Sequence, residues 1–167
     1  MSLVLRTFTL EDEEAALRAW RDFQRKGSTF LTSYREGQPW PEYLELLADL
    51  RADRNLPEGH SPGAVLAAVV DGLLVGRVTV RFRLNEYLAT YGGHIGFAVI
   101  EEHRRKGYAT EMLRQALRLA NENGVSPVLI TCDDDNFGSA AVIEHCGGTL
   151  ESVGPDENGV VFRRYWV

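Results

Sequence analysis

Three adjacent cations, Arg104, Arg105 and Lys106, run directly into Gly107, with the small residue Ala109 two positions further on, in the stretch "HRRKGYAT". An apolar run ending at Val99 and Ile100 lies before it. After it comes a run with Met112, Leu113, Ala116, Leu117 and Ala120 at helical spacing. A helix start has unpaired backbone N–H groups and the positive end of the helix dipole. Gly107 puts no side chain between that backbone and a ligand, and arginine grips phosphate with a two-pronged fork. Binding of a phosphate-bearing ligand is the chemistry that these residues at this spacing support. The alternative is a solvated basic turn leading into an ordinary helix. Two other phosphate fingerprints are excluded. The chain has no Gly-x4-Gly-Lys-Ser/Thr loop, and only one of the three glycines of a dinucleotide-binding turn is present.

The elements that must hold this loop can be read from periodicity and punctuation. Residues 3–8 predict a first strand. Thr9 and Asp12 predict a capping box ahead of a helix that runs to about Lys26 and stops at Gly27. A second helix starts near Pro41, with Leu44, Leu47 and Leu50 on its apolar face. Residues 64–70 and 73–82 are strands joined at Asp71-Gly72, a hairpin signal. Residues 94–99 form a further strand, residues 107–123 the strongest helix, and residues 128–132 a buried strand. A short helix over 136–145 and a hairpin of residues 149–153 and 160–166 complete the chain. The order β-α-α-β-β-β-α-β-α-β-β implies an α/β (α+β) domain spanning residues 1–167, with a mixed sheet and helices on both faces.

Composition narrows the function. A length of 167 residues suits one domain. No apolar run approaches the roughly 20 residues needed to span a bilayer. The N-terminal residues lack the basic-then-apolar pattern of a leader, and two cysteines are too few for a disulfide framework. A cytoplasmic protein with no membrane partner is expected. The net charge of −6 argues against nucleic acid as a partner and mildly favours a cationic one. The C-terminal hairpin offers an edge on which two copies could pair as a homodimer.

Arg104-x-x-Gly107-x-Ala109 resembles the Gln/Arg-x-x-Gly-x-Gly/Ala loop of the GNAT superfamily of acyl-CoA-dependent N-acyltransferases. The apolar strand ending in Ala98-Val99, the long amphipathic helix, "PVLITC" and the Asn-containing "NFGSAAVIEHCGG" stand in that family's order over nearly the whole chain. Within it, "LNEYLATYGGHIGFAV", "VLITCDDDN", "EHCGG" and "RRYW" are similar to a bacterial subgroup of predicted acetyltransferases. The resemblance implies a mostly antiparallel sheet with splayed central strands and acetyl-CoA as co-substrate, with no metal. Coenzyme A pyrophosphate would be held by Arg104, Arg105, Lys106, Gly107, Tyr108, Ala109 and Thr110. The pantetheine arm would lie between the strand ending at Val99 and the strand near residues 128–131. It would pair with main chain at Val99 and Ile100 and be touched by Asn136 and Ser139. The backbone N–H of Val99 would polarise the thioester carbonyl. Transfer would be by direct attack of a primary amine, on a small molecule or a protein.

An amine with a lysine-like pKa near 10.4 is neutral in only about one molecule in 10³ at pH 7, which can matter by up to roughly 4–5 kcal/mol. His94 is the candidate general base, because alternation puts it on one face with the small residues Gly96 and Ala98. Its alternative role is to brace the sheet. Glu101 and Glu102 are weaker candidates. Many family members carry a tyrosine seven residues after the helix asparagine to protonate the departing thiolate, and Ile143 stands there. This departure motivates a second function, a coenzyme A-binding sensor without turnover. His145 and Cys146 are helix neighbours and point apart, so they are no dyad. His60 and His103 are expected on the surface. Phe30, Tyr34 and Trp40 are candidates for the acceptor wall.

Overall fold

The computed structural model describes residues 2–167. β1 (Leu3–Thr7) enters α1 (Glu13–Arg25) through a short 3-10 turn, and α2 is Trp40–Ala52. At that turn the Thr9 N–H donates to the Asp12 carboxylate at 2.7 Å. Asp12 also receives both prongs of Arg6, at 2.7 and 2.9 Å. Burial alone would raise the Asp12 carboxyl. The Arg6 and Thr9 donors outweigh it and hold the group below its ordinary range.

β2 (Gly63–Val70), β3 (Leu73–Arg81) and β4 (Ile95–Val99) follow, and with β1 they form an antiparallel sheet in the order β1-β2-β3-β4. Every residue of β2, "GAVLAAVV", is buried. Such an unbroken apolar run belongs to a strand covered on both faces. One face packs in a core with Phe30, Trp40 and Tyr43 from the α1–α2 side. The other packs with Met112, Leu113 and Ala116 of α3 (Tyr108–Glu122). β5 (Leu129–Asp133), α4 (Phe137–His145), β6 (Thr149–Pro155) and β7 (Val161–Trp166) complete the chain, with a second antiparallel sheet in the order β5-β7-β6.

The element order is the one expected, with boundaries moved by one or two residues. Between β3 and β4, residues Leu88–Gly92 form one π-helical turn that periodicity did not reveal. Asn85 Oδ1 accepts from the Leu88 N–H at 2.9 Å at its start, and Gly93 leaves it at φ 68°.

Candidate functional site

The two sheets touch at one point and then part. The Gly93–Ile130 bridge is isolated, and no ladder joins β4 to β5. At the two ends of β4 the His94 and Ile100 main chains bond to Arg81 and Val75 of β3, at 2.7 and 2.9 Å. Antiparallel alternation then turns Gly96 and Ala98 toward β3 as well, and leaves the N–H and C=O groups of Phe97 and Val99 facing away from it. At the two ends of β5, Val128 and Asp134 bond to Val167 and Val161. The same alternation turns the main chain of Thr131 away from β7. Two strand edges with unpaired polar groups therefore flank one cleft. Main-chain groups that face away from a ladder need partners, and an extended ligand carrying amides is able to supply them.

His94 stands where the strands part. Its N–H donates to Leu129 O at 2.7 Å, and its Nδ1 accepts from the Leu129 N–H at 2.9 Å. Burial, with the nearby Arg81 charge, pulls the imidazole below its ordinary pKa and keeps it neutral. A neutral ring has one nitrogen lone pair. Since Nδ1 uses it on Leu129, the proton sits on Nε2, which leaves no lone pair to take a proton from substrate.

The mouth of the cleft is the basic loop. Arg105 and Gly107 both hold left-handed backbone, at φ 63° and 79°. A run of amides through such turns forms a concave anion nest. The first main-chain bond of α3 is from Glu111 N–H to Gly107 O, at 3.3 Å. None of the N–H groups of residues 105–110 donates to an acceptor among the described residues. A Cβ on Gly107 would meet nothing within 4 Å, so the glycine answers to backbone geometry and to the open space in front of it.

Two residues expected in this site also make bonds to the protein itself. The Arg104 N–H bonds to Glu101 O at 3.1 Å, and its Nε donates to Val99 O at 3.1 Å while the guanidinium lies over Phe23. Arg104 thus ties the loop to the end of β4. Ile100 donates its N–H to Val75 O and accepts from His103 N–H on its carbonyl, so its N–H is not free for a ligand. The unpaired donors on this edge belong to Phe97, which sequence reasoning missed, and Val99. Asn136 caps α4, its Oδ1 accepting from the Ser139 N–H at 3.1 Å. Its side-chain amide N–H groups have no acceptor among the described residues. Ile143 is fully buried in the core. Tyr165 is equally buried and donates to Glu144 at 2.8 Å, and Tyr91 packs on Phe162. Burial pushes the Cys132 thiol up to about 11 and raises Cys146 as well, so neither is an activated thiolate.

On the α1–α2 side of the sheet, next to the point where the strands part, lies a cavity of about 260 Å³. Thr79 and Arg81 of β3 form its floor, and Thr32, Ser33, His60 and Tyr87 contribute walls. Phe30 and Trp40 are core residues instead, 0% and 1% exposed, and Tyr34 packs edge-on against Trp20 and Tyr43. The wall comes from the residues just after Phe30. His60, expected on the surface, is half-buried here, and His103 is half-buried too. On β4 next to Thr79, Gly96 has no side chain, and a Cβ there would meet only Arg77 Nη1, at 3.6 Å.

A split sheet with open facing edges, and a turn of unpaired amides at its mouth, has the shape to take an extended ligand with a phosphate end. A family model for the acetyltransferase (GNAT) domain matches residues 2–149, and the chain belongs to that family. A 57-residue stretch is 39% identical to the uncharacterized N-acetyltransferase YjdG of Bacillus subtilis (strain 168), covering 34% of each chain. The chain thus spans about a third of the length of that curated relative. Among solved structures, yncA from Salmonella typhimurium, determined with acetyl-CoA as its cofactor, superposes with a TM-score of 0.69 at 12% identity, over 100% of this chain and 94% of that one. The microcin C7 self-immunity acetyltransferase MccE, in complex with acetyl-CoA and AMP, gives 0.68 at 20% identity, over 99% and 91%. The GNAT-family acetyltransferase from Bacillus anthracis gives 0.65 at 21%, over 100% and 95%. These likenesses establish the fold, a mixed α/β GNAT architecture.

Proposed function

We propose that the protein is an N-acetyltransferase that moves the acetyl group of acetyl-CoA to a primary amine by direct attack. The observation that carries this is the line formed by the anion nest of residues 105–110 and the unpaired β4 edge behind it. The nest suits a diphosphate, and the edge suits the two amides of a pantetheine arm.

An arm entering from the nest meets Val99 first and Phe97 next. The Val99 N–H then holds an amide carbonyl of the arm, and the Phe97 N–H, deeper in the cleft, faces the thioester carbonyl. A fixed donor aimed at that oxygen stabilises the charge that develops there. Arg105 and Lys106 add positive charge at the mouth, and Asn136 and Ser139 flank the cleft on the β5 side. The amine nitrogen forms a bond to the acetyl carbon as the C–S bond breaks. The sulfur departs as thiolate and takes up a proton, and the amine gives its surplus proton to water. A thiol of ordinary pKa near 8.5 leaves readily without a dedicated acid, in keeping with the burial of Ile143.

His94 acts here as a positioning residue. It fixes where the strands part, and hence how deep the arm reaches. Titration with acetyl-CoA, followed by thiol release against a panel of amines, tests the function. Saturable binding and amine-dependent release of free thiol are expected. Tight binding with no release for any amine would favour a sensor instead.

A further inference from the structure

The cavity beside the cleft is lined by one arginine, Arg81, and by no acid. Arg81 lies on its floor, with Nη1 donating to Gly93 O at 3.2 Å, and its Nε and Nη2 have no acceptor among the described residues. Arg77 lies four positions away on the same face of β3, outside the cavity lining, and is 6% exposed. Its donors go to the carbonyls of Phe30 and Thr29. Neither guanidinium has a carboxylate partner among the described residues, and no aspartate or glutamate lines the cavity. A covered charge without a counter-charge is costly, and burial pulls both arginines down. His60 and the Thr32–Thr79 hydroxyl pair, 2.8 Å apart, add further donors.

The location gives this charge a role. Gly93, which Arg81 touches, is the bridge residue where the two sheets meet, and Thr79 pairs with Gly96 of β4, the strand that borders the cleft. A molecule whose anionic end sat on Arg81 would extend across Gly96 and bring its other end to the thioester. The volume of about 260 Å³ suits a small metabolite.

We infer that the acceptor is a small amine bearing a carboxylate or phosphate group, and that Arg81 holds that group. This rests on the acetyl transfer proposed above, and it reverses the preference for cationic acceptors that the net charge suggests. The attraction is local, set by a covered fork of N–H donors, while the net charge of −6 is spread over the whole surface.

The test is thiol release from acetyl-CoA with matched amines. β-Alanine and 2-aminoethyl phosphate represent the two anions, β-alaninamide and ethanolamine are their neutral counterparts, and spermidine is the cationic arm. Wild-type protein should favour the anionic member of at least one pair by about tenfold or more in kcat/KM, and the better pair identifies the anion. Arg81→Gln should cut kcat/KM for that anionic amine by about 10²-fold, mostly through KM, and change the neutral counterpart less than threefold. Arg81→Lys should restore part of the preference. Equal losses on charged and neutral amines would make Arg81 merely structural and overturn the inference. So would faster acetylation of spermidine or of the neutral amines, with acetyl transfer itself left intact. If none of the amines, charged or neutral, releases thiol from bound acetyl-CoA, the acetyl transfer itself fails and the inference with it.

Discussion

Replacing His94 by asparagine and by alanine separates a brace from a base. Asparagine can set its Oδ1 close to where the imidazole Nδ1 sits, and so can accept from the Leu129 N–H, which Nδ1 now does at 2.9 Å. Alanine cannot. Leu129 is 1% exposed, so its N–H would then be left without a partner. An orphaned buried donor costs about 1–3 kcal/mol, which for a chain of this size lowers Tm by roughly 2–4 °C per kcal/mol. His94→Ala should therefore melt several degrees lower, while His94→Asn stays close to wild type. In activity, losing a general base costs about 10²–10⁴-fold. A brace predicts that His94→Asn keeps kcat within a few-fold and that His94→Ala loses more. The pH dependence gives an independent check. The folded pKa of His94 lies below its ordinary 6.5, so unfolded chain takes up the proton first as pH falls. The stability tied to the neutral ring is full above about 6.5 and is lost as pH falls through the folded pKa, when Nδ1 protonates and can no longer accept. His94→Asn should remove that acid-side loss. Scanning calorimetry and thiol-release rates over the same pH range measure both. Equal losses of 10²-fold or more in kcat for both variants, with unchanged Tm, would refute the brace and restore the base.

Gly96→Val places a side chain on the path inferred for the acceptor. It should lower kcat/KM for the acceptor by about tenfold or more and leave acetyl-CoA binding by calorimetry unchanged; loss of both would mean the strand itself is distorted. Asp12→Asn removes the charge that Arg6 grips on both prongs, and should cost about 2 kcal/mol at pH 7 by urea unfolding. Because the folded pKa of Asp12 is depressed, that difference should persist above about pH 4 and fade as pH drops through the folded value. Cys132, with its thiol near 11 and half-buried, should resist iodoacetamide at pH 8 in folded protein and react after unfolding.

The element order and the glycine turn that opens α3 were legible because both are local. Periodicity, Gly107 and the adjacent cations lie within a few residues of one another. The roles of individual side chains depended on contacts across the chain. Arg104 reads as a phosphate ligand by type, yet the short turn that starts at Glu101 folds it back onto Val99 O. His94 reads as a base by its place on the strand, and only the Leu129 N–H, 35 positions away, shows that its lone pair is in use. Arg81 stood in a strand with no local signal. It became visible as a cavity cation once the register set Thr79 and Arg81 on the face opposite α3, under the segment that follows Phe30. The π-helical turn at Leu88–Gly92 had no periodicity of its own, being held by the Asn85 cap and the turn at Gly93.

The most direct measurement compares acetyl-CoA with S-acetylpantetheine, which keeps the thioester and the arm and lacks the diphosphate, by calorimetry on wild type and Gly107→Val. Wild type should bind acetyl-CoA at least about 10²-fold more tightly, with an advantage that shrinks as salt rises. Gly107→Val, folded by circular dichroism, should bind both ligands with similar weak affinity. Equal affinity of the two ligands for wild type, or full retention of acetyl-CoA binding in the variant, would contradict a diphosphate held by the amides of residues 105–110.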